Sequence, residues 1–204
     1  MAVISFGLKN ILQFYTTISP FIITGYTLLS SVRNYDAKGF VYIIGLMISS
    51  VFLLAGKQML KGYDDMNQVG TNPHLRGDFC NVFRGPFEDT LGYVTRPSSR
   101  AWFHGFTAAY FLMGVIMNKY NDGLVFSLSL ASIGFADLAF RYISGCDRGI
   151  ANIFFSWLVA AFIGALWFFG IYSINTEESL TYFGKEKSKK CNLSNVNYSC
   201  SFKK

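Results

Sequence analysis

The chain has 204 residues, of which 51% are hydrophobic, 18% aromatic and 15% charged, with a net charge of +6. Soluble domains carry about 25% charged residues, so this depletion argues against a water-soluble globular protein. The basic excess does not indicate nucleic acid, because no binding motif accompanies it.

The apolar residues come in five blocks, each near or above the ~20 residues that cross a bilayer. The first, 11–31, carries Pro20 in its middle and is too long for a signal-peptide core. It has no small-residue cleavage site before Ser30, so it reads as a retained helix. The second, 39–56, runs into AGKQMLKGYDD; if its helix continues past the membrane, Lys57 and Lys61 share one face at i and i+4. A long polar loop, 57–100, follows, with glycines at 62, 70, 77, 85 and 92 that mark turns.

The third block, 101–117, begins directly after RPSSR. Ser98 or Ser99 can cap that helix, and its first free N–H groups form an anion site. The fourth, 123–143, ends in FADLAFRYISGCDRG, where Asp137 and Arg141 stand at i and i+4 and can form an intrahelical pair. The fifth, 150–174, is a long run without charge. A basic tail, 175–204, contains GKEKSKK and ends in FKK. Read as flexible, it would attract anionic headgroups at ~1 kcal/mol per basic residue. The predicted fold is therefore all-α: a polytopic membrane helical bundle of about five transmembrane helices. One domain, 1–174, is followed by the tail.

Five spans put the loops 57–100 and 144–149 on one side, and the tail with loops 32–38 and 118–122 on the other. Arg33, Lys38, Lys119 and four lysines between 185 and 190 bias the second side towards the cytoplasm. The long loop then faces the lumen or exterior. There, Cys80 and Cys146 would be a possible disulfide. No cysteine or histidine spacing resembles a metal site, and no cofactor is expected.

Under this topology the end of the second block, RPSSR and the end of the fourth block share one membrane surface. Lysines, arginines and a helix start converging on one place suit a phosphate group. In order and spacing these features resemble the type-2 phosphatidic acid phosphatase superfamily, over about residues 50 to 170. Its motifs are K-x6-R-P, P-S-G-H or P-S-S-H, and S-R-x5-H-x3-D. Pro97-Ser98-Ser99 matches the second motif, with Arg100 at the histidine position. Arg141 matches the arginine of the third, whereas Phe140, Asp147 and Ala151 stand where it has serine, the nucleophilic histidine and aspartate. Neither Lys57 nor Lys61 is followed seven residues later by Arg-Pro; the only Arg-Pro is Arg96-Pro97.

Both catalytic histidines of that pattern are thus replaced, and arginine is a poor general acid. The resemblance implies an inactive relative that binds an anionic lipid headgroup through Lys57, Lys61, Arg96, Ser98, Ser99, Arg100 and Arg141. If activity persists, His104 and Asp147 are the candidates to carry it, although a histidine so placed is more commonly a hydrogen-bonded interior residue. A third reading is a membrane scaffold, for example of a virus particle, whose loop 57–100 contacts shell proteins.

Overall fold

The computed structural model describes residues 8–66, 97–119, 122–144, 149–174, 180–182, 190–192 and 199–201. Five helices occupy the five apolar blocks: α1 (Leu8–Asn34), α2 (Lys38–Met66), α3 (Ser99–Asn118), α4 (Asp122–Ile143) and α5 (Ile150–Ile174). The fold is all-α, apart from a hairpin in the tail that pairs β1 (Lys190–Asn192) with β2 (Ser199–Ser201) and sets Cys191 opposite Cys200. The helix α2 extends ten residues beyond its apolar block, so the connection to α3 is shorter than the loop expected from composition. Lys61 is thereby helical rather than part of a loop.

Among the described residues, three helical segments are long and apolar enough to cross a membrane: Lys38–Leu60, Gly123–Ile143 and Ile150–Ile174. These belong to α2, α4 and α5. The sequence blocks in α1 and α3 do not meet the same measure, for different physical reasons. In α1 the apolar run is diluted by serines, threonines, Gln13 and Pro20, through which the helix continues. The other, α3, is the central helix. Trp102, His104, Thr107 and Tyr110 are all buried on it, and polar groups in a bundle interior can find partners that lipid cannot supply.

The distribution of side chains is inverted relative to a soluble protein. Phe154, Phe155 and Phe162 on α5 and Phe135 on α4 are exposed, while Ser31, Ser49, Thr107 and Asp137 are buried. Water would penalise so much exposed apolar surface, whereas hydrocarbon does not. The arrangement is that of an integral membrane protein.

Close helix approach holds the bundle together where lipid removes the hydrophobic incentive to associate. The backbone of Gly105 on α3 lies directly against the carbonyl of Trp157 on α5, leaving no room for a Cβ. Gly164 on α5 is matched to the Phe106 carbonyl in the same way, with a Cβ there falling 2.6 Å from the oxygen. Thus α3 and α5 run parallel in direct backbone contact. Around them Tyr42, Phe106, Tyr110, Phe111 and Phe168 form a buried aromatic core. Tyr42 of α2 shares a 2.8 Å hydrogen bond with Thr107 of α3.

At the opposite end of the bundle, α1 and α2 are joined by a tight turn in which Tyr35 takes a left-handed φ of 53°. Ser31 closes it by accepting from the Gly39 N–H at 2.7 Å. The part of the tail at 180–182 packs onto this end. The Tyr182 hydroxyl donates to the Thr27 carbonyl at 3.0 Å, and its ring meets Phe111.

Candidate functional site

Residues 97–100, the described part of RPSSR, are anchored among three helices. Ser98 has extended backbone angles and its hydroxyl accepts from the Ala101 N–H at 3.4 Å, which makes it the N-cap of α3. Its own N–H donates to the Ser156 hydroxyl of α5 at 2.9 Å, and Ser156 in turn donates to Asn152 O at 2.6 Å. Pro97 lies beside Gly56 of α2, where an added Cβ would reach ordinary contact at 3.5 Å. One turn on, the Trp102 indole donates to the Ser49 hydroxyl at 2.7 Å, fixing α3 against α2.

Lys57 completes this corner. Its Nζ donates to Ser99 Oγ at 2.8 Å although 42 residues separate them, and the lysine is only 3% exposed. A buried ammonium, a hydroxyl and the positive end of a helix dipole therefore meet within one turn. This is the electrostatic setting that accommodates an anion. Arg100 follows Ser99 on α3 and is half-buried. Arg141 is half-buried near the C-terminus of α4, at the same end of the bundle, since α3 and α4 run antiparallel.

Of the predicted headgroup residues, Lys57, Ser98 and Ser99 are thus brought together, and Arg100 adjoins them. The Lys61 side chain, Arg96, the alternative catalytic residue Asp147 and the Cys80–Cys146 pairing lie outside the described residues.

The expected intrahelical pairing of Asp137 with Arg141 is corrected. Asp137 Oδ2 lies 2.7 Å from His104 Nε2 on the neighbouring α3, and the two side chains are 1% and 3% exposed. Asp137 faces the bundle interior, where His104 of α3 meets it. His104 is therefore a hydrogen-bonded interior residue, separate from the corner at Lys57. The signal that finds this pair in sequence is scarcity. Asp137 is the only acid, and His104 the only histidine, in the five apolar blocks. Two ionisable groups at membrane depth are expected to seek each other.

Comparison of the chain with protein-family models, with curated proteins and with solved structures finds no match. What the fold defines is a class: a multi-helix integral membrane protein with one polar corner and one buried histidine–aspartate pair.

Proposed function

We propose that this protein is a membrane component that holds an anionic lipid headgroup at the start of α3, without phosphatase chemistry. The observation that carries this reading is the 2.8 Å Lys57–Ser99 contact at the N-terminus of α3. A phosphate there would meet a lysine ammonium and the Ser99 hydroxyl at the positive end of the α3 dipole, with Arg100 beside them. The resemblance to type-2 phosphatidic acid phosphatases supports the same place, since Pro97-Ser98-Ser99 matches the phosphate-binding motif. Arg100 stands where that motif has its proton-donating histidine, and an arginine retains an anion without readily protonating a leaving group. The basic residues of the tail and short loops support a cytoplasmic tail, which places this corner on the lumenal or exterior face.

The test is lipid retention by the full chain in nanodiscs containing phosphatidic acid and phosphatidylcholine. Preferential retention of phosphatidic acid is expected, weakened about tenfold in Lys57→Met, as for loss of one charge-assisted hydrogen bond. Equal retention of both lipids would overturn headgroup binding. Release of inorganic phosphate from phosphatidic acid or an isoprenyl diphosphate, abolished by His104→Ala or Asp147→Ala, would overturn inactivity.

A further inference from the structure

The pair His104–Asp137 borders a cavity that the polar corner does not use. A pocket of about 590 Å³ lies between α3, α4 and α5, walled by Ala108, Leu130, Gly134, Phe154 and Trp157, with His104 among its lining residues. Pockets of roughly 300–1,000 Å³ suit small-molecule ligands, so a lipid-sized apolar body fits by volume. Phe135 and Ile150, also on its lining, are 76% and 63% exposed, so the pocket opens at the outer face of the bundle, where acyl chains lie.

The polar feature of the wall selects the ligand. Asp137 engages Nε2 of His104. When the carboxylate is ionised and the imidazole neutral, the hydrogen of this pair sits on Nε2 and the other ring nitrogen is an acceptor. That nitrogen, Nδ1, has no hydrogen-bond partner among the described residues. It lies against Gly134 on the pocket wall, where an added Cβ would stand 3.0 Å from it. Asp137 Oδ1 is buried without a partner among the described residues. Unsatisfied acceptors at membrane depth are costly, and an intramembrane ionisable group is a candidate functional site.

We infer that this pocket binds a long-chain lipophilic alcohol, its apolar body against α4 and α5 and its hydroxyl donating to His104 Nδ1. A fully apolar molecule would leave that acceptor unmet, and a charged headgroup would be stripped of water against a wall that, apart from His104, Tyr142 and Trp157, is aliphatic or phenyl. The site is separate from the α3 N-terminus, so this inference and the headgroup reading stand or fall independently.

The full chain in phosphatidylcholine nanodiscs is labelled with a 1-hexadecanol analogue carrying a photoreactive diazirine near its tail. Adducts mapped by mass spectrometry are expected to concentrate within 130–139 and 150–157. Free 1-hexadecanol should compete about fivefold better than hexadecyl methyl ether, which cannot donate, as for one hydrogen bond. Ala108→Phe, which fills the pocket and leaves both members of the pair in the chain, should cut labelling about tenfold. In the double variant His104→Phe/Asp137→Leu, where no charge is orphaned, the preference for alcohol over ether should vanish. Labelling spread equally over the lipid-facing Phe162 and Leu166 and unchanged by Ala108→Phe would overturn the site. Equal competition by ether and alcohol in the unsubstituted protein would overturn the role of Nδ1, whether or not the double variant folds.

Discussion

Asp137 of α4 and His104 of α3 lie 2.7 Å apart through Oδ2 and Nε2, with almost no exposure of either side chain. This contact joins two helices that are 33 positions apart at the pair, and it satisfies two polar groups that lipid could not. Removing one partner strands the other, whereas removing both with apolar residues leaves a packed seam. Asp137→Leu or His104→Leu alone should cost about 1–3 kcal/mol. The double replacement His104→Leu/Asp137→Leu should cost less than the sum of the single ones. Reversible unfolding of the four proteins in detergent, read as a double-mutant cycle, measures the coupling. Additive costs would show that the pair contributes nothing as a pair.

The seam between α3 and α5 depends on glycine. Gly105→Val and Gly164→Val place side-chain atoms inside a backbone that already occupies the space. Each should lower the melting temperature sharply or abolish a monodisperse peak, since overpacking of an immobile backbone belongs with the most destabilising changes. Gly25→Ala and Gly170→Ala are the controls, because nothing lies within 4 Å of the added Cβ at either site. These helical positions should gain up to about 1 kcal/mol from the better propensity of alanine. Thermal melts of the four variants separate close approach from a general intolerance of change.

Capping at RPSSR provides a further test. Ser98→Ala removes the cap on Ala101 and should cost about 1 kcal/mol, with Ser98→Asp retaining most of it. Ser156→Ala should cost a similar amount by a different route, because the buried Ser98 N–H then loses its acceptor. Denaturant midpoints in a fixed detergent compare the three. A neutral Ser156→Ala would show that the segment is held by Pro97 and Trp102 alone.

Tyr182 links the chain after α5 to the α1–α2 turn, and it carries a pH dependence. Burial, followed by the nearby Asp36 carboxylate, pushes its hydroxyl well above the usual tyrosine value. A group with a raised folded value binds its proton more tightly in the folded state. The stabilisation is therefore complete below about pH 10, where an unfolded tyrosine is still protonated. It is lost as pH rises through the higher folded value. Stability of the unsubstituted protein should fall faster above about pH 10 than that of Tyr182→Phe, which also lacks the 3.0 Å bond to Thr27. Parallel pH profiles would dismiss the effect.

Much of the fold was legible in the chain. Helix positions followed from apolar blocks, and all five helix starts lie within three residues of their blocks. That regularity has a simple cause: a bilayer demands runs of fixed length, and within it backbone groups must be satisfied by the helix itself. Less legible was which helix would be central, because hydropathy measures how well a helix suits lipid. The helix least exposed to lipid, α3, needs that suitability least, and it hides Trp102, His104 and Thr107.

The candidate site divides in the same way. Ser98 as cap and Lys57 near the α3 start follow from local rules: hydroxyls cap helices, and antiparallel neighbours bring the end of one span beside the start of the next. The partners of Asp137 and of the Ser98 N–H could not be read from spacing, because the local rule favoured Arg141 four residues away. Rotation of α4 about its axis decided otherwise, turning Asp137 inward to His104.

By itself, then, the sequence determined that this chain lives in a membrane, where its helices lie and which segment caps α3, since those are one-dimensional properties of hydropathy and hydrogen-bonding chemistry. The tertiary structure alone decided which helix is buried, which glycines touch backbone and which ionisable groups meet. Those depend on how each helix is turned and seated against its neighbours, a choice made by packing across distant parts of the chain.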